Sequence, residues 1–153
     1  MDVDGYKGKI AHVDVCRSKP GSRPASKNLK EVHFFQVLSV PGIAKIQQEL
    51  AMVDAGTIKG YRIVYWYLLK DETRALDPKA GARSAHNIGA WLVAPNVIGY
   101  ALHSWHERDH VNVVQWTTLT VGADVLAKKI VESNIDCMAA WAKKQGAVAL
   151  APK

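Results

Sequence analysis

The nine residues at 61–69, Tyr-Arg-Ile-Val-Tyr-Trp-Tyr-Leu-Leu, constrain the fold of this chain more than any other stretch. All but Arg62 are β-branched, aromatic or aliphatic, and no Gly or Pro falls among them. Such side chains fit a pleated, packed surface, so the stretch reads as a strand. Alternation puts Tyr61, Ile63, Tyr65, Tyr67 and Leu69 on one face and Arg62, Val64, Trp66 and Leu68 on the other. Neither face is polar, which predicts a central strand covered on both sides.

The neighbouring text supplies partners. Residues 8–16 alternate, with Ala11, Val13 and Val15 opposite His12 and Asp14. Residues 31–38 set Val32, Phe34 and Leu38 against His33, Phe35 and Val37. Residues 88–94, 97–105 and 111–120 read as strands joined by short turns at Pro95-Asn96 and 107–109, an antiparallel meander. Gly99 inside the second suggests a bulge or a close backbone approach.

Two helices are expected. Ser39-Val-Pro-Gly opens the first, with Ile43, Ile46, Leu50 and Val53 at helical spacing and Gly56 and Gly60 bracketing its end. The second runs from about 121 to 144, capped by Thr120. Its apolar stripes, Leu126-Ile130-Cys137-Trp141 and Ala127-Val131-Ile135-Met138-Ala142, are wider than one sheet contact needs. Ile135, Met138 and Trp141 are therefore expected at an interface with a second copy. The fold class is α+β: a single antiparallel sheet of about five to six strands with two helices packed on one face. Residues 1–153 form one domain in this reading, with a flexible basic loop at 17–30 and a second long loop at 70–87.

The chain is long enough, at 153 residues, to bury a core without staples. Its start is acidic with no apolar signal region behind it, and no run nears the ~18 apolar residues of a membrane span. The expectation is a protein that is neither secreted nor membrane-bound, in the cytoplasm or in a particle assembled there. Cys16 and Cys137 show no CxxC spacing and read as reduced thiols.

Charge is the informative quantity. Residues 17–30 hold Arg17, Lys19, Arg23, Lys27 and Lys30 with no acid, which is five of the net +6. The remaining chain, 15 basic against 14 acidic residues, is nearly neutral. Two Pro, one Gly and three Ser keep this segment out of helix or strand interiors. Cations gathered on one loop neutralise phosphates without reading bases. Arg62 joins them as a candidate, and Tyr65, Tyr67, Tyr100, Trp105 and Trp116 are candidate stacking platforms.

Catalytic signals are sparse. His103, His106, Asp109 and His110 crowd one hairpin tip, and imidazoles with a carboxylate bind zinc or move protons near neutral pH. Their spacing fits no familiar zinc template. GxSxG is absent, and Gly81-Ala-Arg-Ser lacks the spacing of a phosphate loop. The leading expectation is a non-enzymatic, nucleic-acid-associated, self-assembling protein, coat-like or architectural, that needs no cofactor and holds mainly phosphate backbone. The alternatives are a small metal- or His-dependent enzyme built on the His103–His110 hairpin, with zinc, and a purely structural subunit of a larger particle.

Overall fold

The computed structural model describes residues 2–19, 30–40, 44–106 and 123–144. Six strands form one sheet: β1 (Val13–Ser18), β2 (Lys30–Val40), β3 (Ala44–Ile58), β4 (Tyr61–Leu68), β5 (Ala82–Ala94) and β6 (Val97–His106). Their order in the sheet is their order in the chain, and each pair of sequence neighbours runs antiparallel. One short parallel pairing, Ile46 with Ala82 and Gln47 with Arg83, joins β3 to β5. Two α-helices are described, α1 (Lys70–Arg74) and α2 (Ala123–Lys144), so the described chain is mostly sheet.

The expected helix over 43–53 is instead β3. Its residues follow a two-residue period: Ile46, Gln48, Leu50 and Met52 face one way and Gln47, Glu49, Ala51 and Val53 the other, all of them buried. Gln48 disguises that period, being polar yet only 1 % exposed. Its amide is hydrogen-bonded to Gln36, Ser84 and Asn87, which removes the penalty for burying it. Gly60 does not end a helix either. Lys59 and Gly60, both at positive φ (50° and 84°), form the two-residue hairpin between β3 and β4, a turn of the type whose twist matches the strands.

Residues 70–87 are more ordered than a long loop. They contain α1, a 3-10 turn (Pro78–Ala80) and the start of β5. Where β4 leaves β3, Thr73 fills the gap in the ladder: its hydroxyl accepts from the Glu49 amide at 3.0 Å and donates to the Glu49 carbonyl at 3.3 Å. Gln47 donates to the carbonyls of Asp77 and Gly81 at 2.5 and 2.9 Å and pins the rest of the connection. The expected strand at 111–120, its turn at 107–109 and Trp116 lie outside the described residues.

The core lies between one sheet face and α2. Phe34, Leu50, Met52, Trp66 and Trp91 are buried there, with Ile135, Met138 and Trp141 of α2 half-buried against them. Trp141 meets Tyr6 edge-on at 6.2 Å. The amino-terminal residues are tied down by Asp4, whose carboxylate accepts from the Ser18 amide and hydroxyl, both at 2.7 Å. No helix among the described residues is long and apolar enough to cross a membrane.

The close approach expected at Gly99 occurs at Gly89. A Cβ at Gly89 would run into the Trp66 indole and sit 2.5 Å from the Ala101 carbonyl oxygen, whereas one at Gly99 would reach only ordinary contact with Leu92 at 3.4 Å. Gly89→Ala is expected to lower stability by roughly 1–3 kcal/mol in a urea melt. Gly99→Ala should shift it by less than about 0.5 kcal/mol. Equal effects of the two substitutions would contradict this packing of Trp66.

Candidate nucleic-acid interface

Period-two alternation gives the sheet a second face, turned away from α2. On it β1 places Arg17, β2 places Glu31, His33 and Phe35, and β4 places Ile63, Tyr65 and Tyr67. From β5 come His86, Ile88, Ala90 and Leu92, and from β6 Ala101, His103 and Trp105. Its floor is small: Ala51 and Val53 are wholly buried between larger lateral neighbours. Its aromatics are not. Trp105 is 52 % exposed and stacks on His86 at 4.3 Å and 18°, with His103 edge-on to both rings at 5.1 Å.

Two hollows of about 400 Å³ each adjoin on this face, with Ile88 in the wall of both. One is apolar, formed by Tyr65, Ile88, Ala90, Ala101 and His103. The other sets Tyr67, His86 and Trp105 beside Lys70 and Arg74. The Lys70–Arg74 spacing puts both cations on one side of α1. The Nε2 atom of His86 is buried and has no hydrogen-bond partner. Burial, and after it the Glu31 carboxylate, raises the Tyr67 phenol above its usual range, so its hydroxyl stays a donor.

The cations expected to hold phosphate are distributed unevenly. Arg17 lies over the Phe35 ring at 5.1 Å. Lys19 pairs with Glu49 at 3.2 Å, Lys30 is exposed at the start of β2, and Arg62 is held by Asp54. Arg23 and Lys27 lie outside the described residues. Of the proposed stacking residues, Tyr65, Tyr67 and Trp105 share the open face, while Tyr100 points to the α2 side, 4.4 Å from Trp91. Ile135, Met138 and Trp141 lie against the chain's own sheet. Sequence reasoning missed Lys70, Arg74 and His86. The Pro95-Asn96 turn was the available signal for His86, because counting outward from Ala94–Val97 pairs His86 with Trp105.

The two described histidines of the hairpin do not come together. His103 and His106 differ by three positions on one strand and point to opposite faces, and Asp109 and His110 lie outside the described residues. No group of three metal-ligating side chains occurs among the described residues. His106 joins a polar network on the α2 side of the sheet. Ser84 donates its hydroxyl hydrogen to Gln48 Oε1 at 2.7 Å, so His106 Nδ1, 3.2 Å from Ser84 Oγ, is the donor in that contact. Asn87 donates to Gln48 Oε1 and accepts from the Trp66 indole, both at 2.8 Å. Burial pushes the His106 imidazole down to about 4 and keeps it neutral. Cys16 and Cys137 are free, and Cys16 is raised to about 12 by burial and then by Asp4 and Asp2, which leaves it a protonated, unreactive thiol.

No protein-family model matches this chain, and no curated protein or solved structure is significantly similar to it.

His106 predicts a pH dependence. Its folded value lies below the 6.5 of a free imidazole, so between the two the unfolded chain binds the extra proton. Stability contributed by neutral His106 is present above about pH 6.5 and is lost as pH falls towards 4, on the order of 3 kcal/mol in all. Urea midpoints measured across that window should fall for the wild type and flatten in His106→Gln. A slope that survives the substitution would assign it to another group.

Proposed function

We propose that this chain holds single-stranded nucleic acid on the open face of its sheet, without catalysis. The observation that carries the reading is the hollow where Trp105, His86 and Tyr67 stand beside Lys70 and Arg74. Stacking needs the flat face of a base, which a duplex conceals, so aromatic side chains in an open groove suit single strands. The cations at the rim meet the backbone, and the second hollow, walled by Tyr65, Ile88 and His103, gives an adjacent base a place of its own. Every base offers a π-face, so such a surface binds with little sequence preference.

The basic segment supports the same reading by its position. Near its start Lys19 reaches Glu49 with its ammonium, and the backbone of Glu49 is bonded by Thr73 of α1. The root of the segment and the Lys70–Arg74 pair thus share one corner of the sheet. Self-association belongs to the proposal as well. With Ile135, Met138 and Trp141 turned inward, its surface is the end of the sheet where the two hairpins expose Ile58, Tyr61, Val93 and Val97.

Fluorescence anisotropy with labelled oligothymidylate and oligouridylate over a salt series tests the reading. Trp105→Ala is expected to cost about 1–3 kcal/mol, a 5- to 150-fold weaker Kd. Lys70→Ala with Arg74→Ala should flatten the plot of log K against log salt by about 1.4, at ~0.7 per cation for single strands. A duplex of equal length should bind more weakly than either oligomer. Wild-type protein that ignores single strands at about 50 mM salt, or variants that bind as the wild type does, would overturn it.

A further inference from the structure

We propose that the cavity between the sheet and α2 is a binding site for a small, neutral, single-ring aromatic molecule carrying a hydrogen-bond donor, of the phenol class. The cavity has a volume of about 90 Å³, with Phe34, Leu50, Met52, Trp91 and Leu102 in its walls. Protein interiors pack to near crystal density and seldom leave such space. One water needs ~10–15 Å³ and a dry cavity of ~150 Å³ takes benzene, so this one suits no more than one ring, admitted with slight give in its walls. Those walls are mainly aromatic and aliphatic, which favours a flat apolar body over a chain of waters.

One unmet polar atom at the cavity sets the ligand's chemistry, and it is an acceptor. Asn134 of α2 is only 6 % exposed; its amide nitrogen donates to the Tyr100 hydroxyl at 3.3 Å, and its Oδ1 is buried with no partner. An unmet buried acceptor costs roughly 1–3 kcal/mol, which a ligand hydroxyl or N–H would recover. His106 also lines the wall. Its Nδ1 hydrogen is directed at Ser84, so the neutral ring leaves Nε2 with a lone pair. Tyr6, also in the wall, directs its own hydroxyl hydrogen to the Met52 sulfur at 3.5 Å.

The lining contains no Lys, Arg, Asp or Glu among the described residues, so no permanently charged side chain there compensates a charged ligand. A carboxylate or phenolate would bring a second acceptor against the unmet Asn134 Oδ1 and leave it without a hydrogen. A neutral hydroxyl on one aromatic ring answers both the shape and the polarity.

The site lies on the opposite face of the sheet from the nucleic-acid hollows, so the two readings stand or fall separately. The test titrates the full chain with phenol, benzene and benzoate, followed by tryptophan fluorescence and by ligand-to-protein nuclear Overhauser effects. Phenol is expected to bind saturably, with a Kd on the order of 0.1–1 mM for seven heavy atoms. Benzene should bind at least about 5-fold more weakly, because it leaves Asn134 Oδ1 unmet, and benzoate not at all. Asn134→Leu should erase the preference for phenol over benzene, and Trp105→Ala should leave phenol binding unchanged. Should Asn134→Leu not fold, phenol ring contacts to the Trp91 indole in the wild type carry the same test. Absence of saturable phenol binding, benzoate binding as well as phenol, a preference that persists in Asn134→Leu, or ring contacts to residues outside the cavity would overturn the proposal.

Discussion

The buried amide of Gln48 is the constraint on which the rest of this sheet depends. Its carbonyl oxygen accepts from Ser84 and Asn87 on β5 and its nitrogen donates to Gln36 on β2, all within 2.8 Å. Through Asn87 the network reaches Trp66 on β4, and through Ser84 it reaches His106 on β6. Five of the six strands are tied to one another by directional bonds in a region of low dielectric. Apolar contacts cannot do this, since they are indifferent to a slip that keeps oily surface buried. A one-residue slip of β3 would turn Gln48 to the other face, strand the Gln48 and Gln36 amides and cost Ser84 and Asn87 a bond each, at about 1–3 kcal/mol per unmet group. The network therefore selects one register among several that hydrophobicity alone would tolerate.

That register decides what each face is able to do. Towards α2 it gathers Phe34, Leu50, Met52, Trp66 and Trp91, large side chains that need a second layer, and α2 supplies it with Ile135, Met138 and Trp141. Large rings next to a row of buried amides do not tile perfectly, and the cavity lies beside that seam. Away from α2 the same alternation leaves Ala51, Val53, Ala90 and Ala101 in the floor, with aromatic rings standing at intervals between them. Such a face has depressions and platforms but too few central bulky side chains to anchor a packed layer. On the proposed reading, those platforms and depressions would receive flat bases.

Much of this was legible in the chain because the signals were local. The unbroken run at 61–69, the alternation in 31–38, the Pro95-Asn96 turn and the long amphipathic stretch ending at Lys144 each report an element on their own, and each element is present. What failed were positions whose meaning depends on a distant partner. Gln48 reads as polar surface until Gln36, Ser84 and Asn87 are brought to it from 12 to 39 residues away. Thr73 and Gln47 turn an apparent loop at 70–87 into a fitted insert through bonds spanning 24 to 34 residues. His106 and His103 look like one cluster in a string of letters, yet the pleat sends them to opposite sides of a sheet. Asn134 carries no signal at all in the sequence, for an amide on a helix is ordinarily solvated.

Electrostatics follows the same logic of place over sum. At physiological salt the Debye length is about 8 Å, so a net charge of +6 states little about any one spot on the surface. Arg62 and Lys19, which look free in the sequence, lie against Asp54 and Glu49. Glu31 and Glu49, nearly buried on the open face between β2 and β3, carry oxygens without hydrogen-bond partners and would repel a phosphate laid across them. Cations and exposed rings coincide instead over β4 to β6, beside α1. On the proposed reading, a polyanion drawn in by the 17–30 segment would be turned away from the β2–β3 side and along the Trp105–His86 row. The acidic residues of the face would then give direction to a track that the basic ones alone would leave undefined.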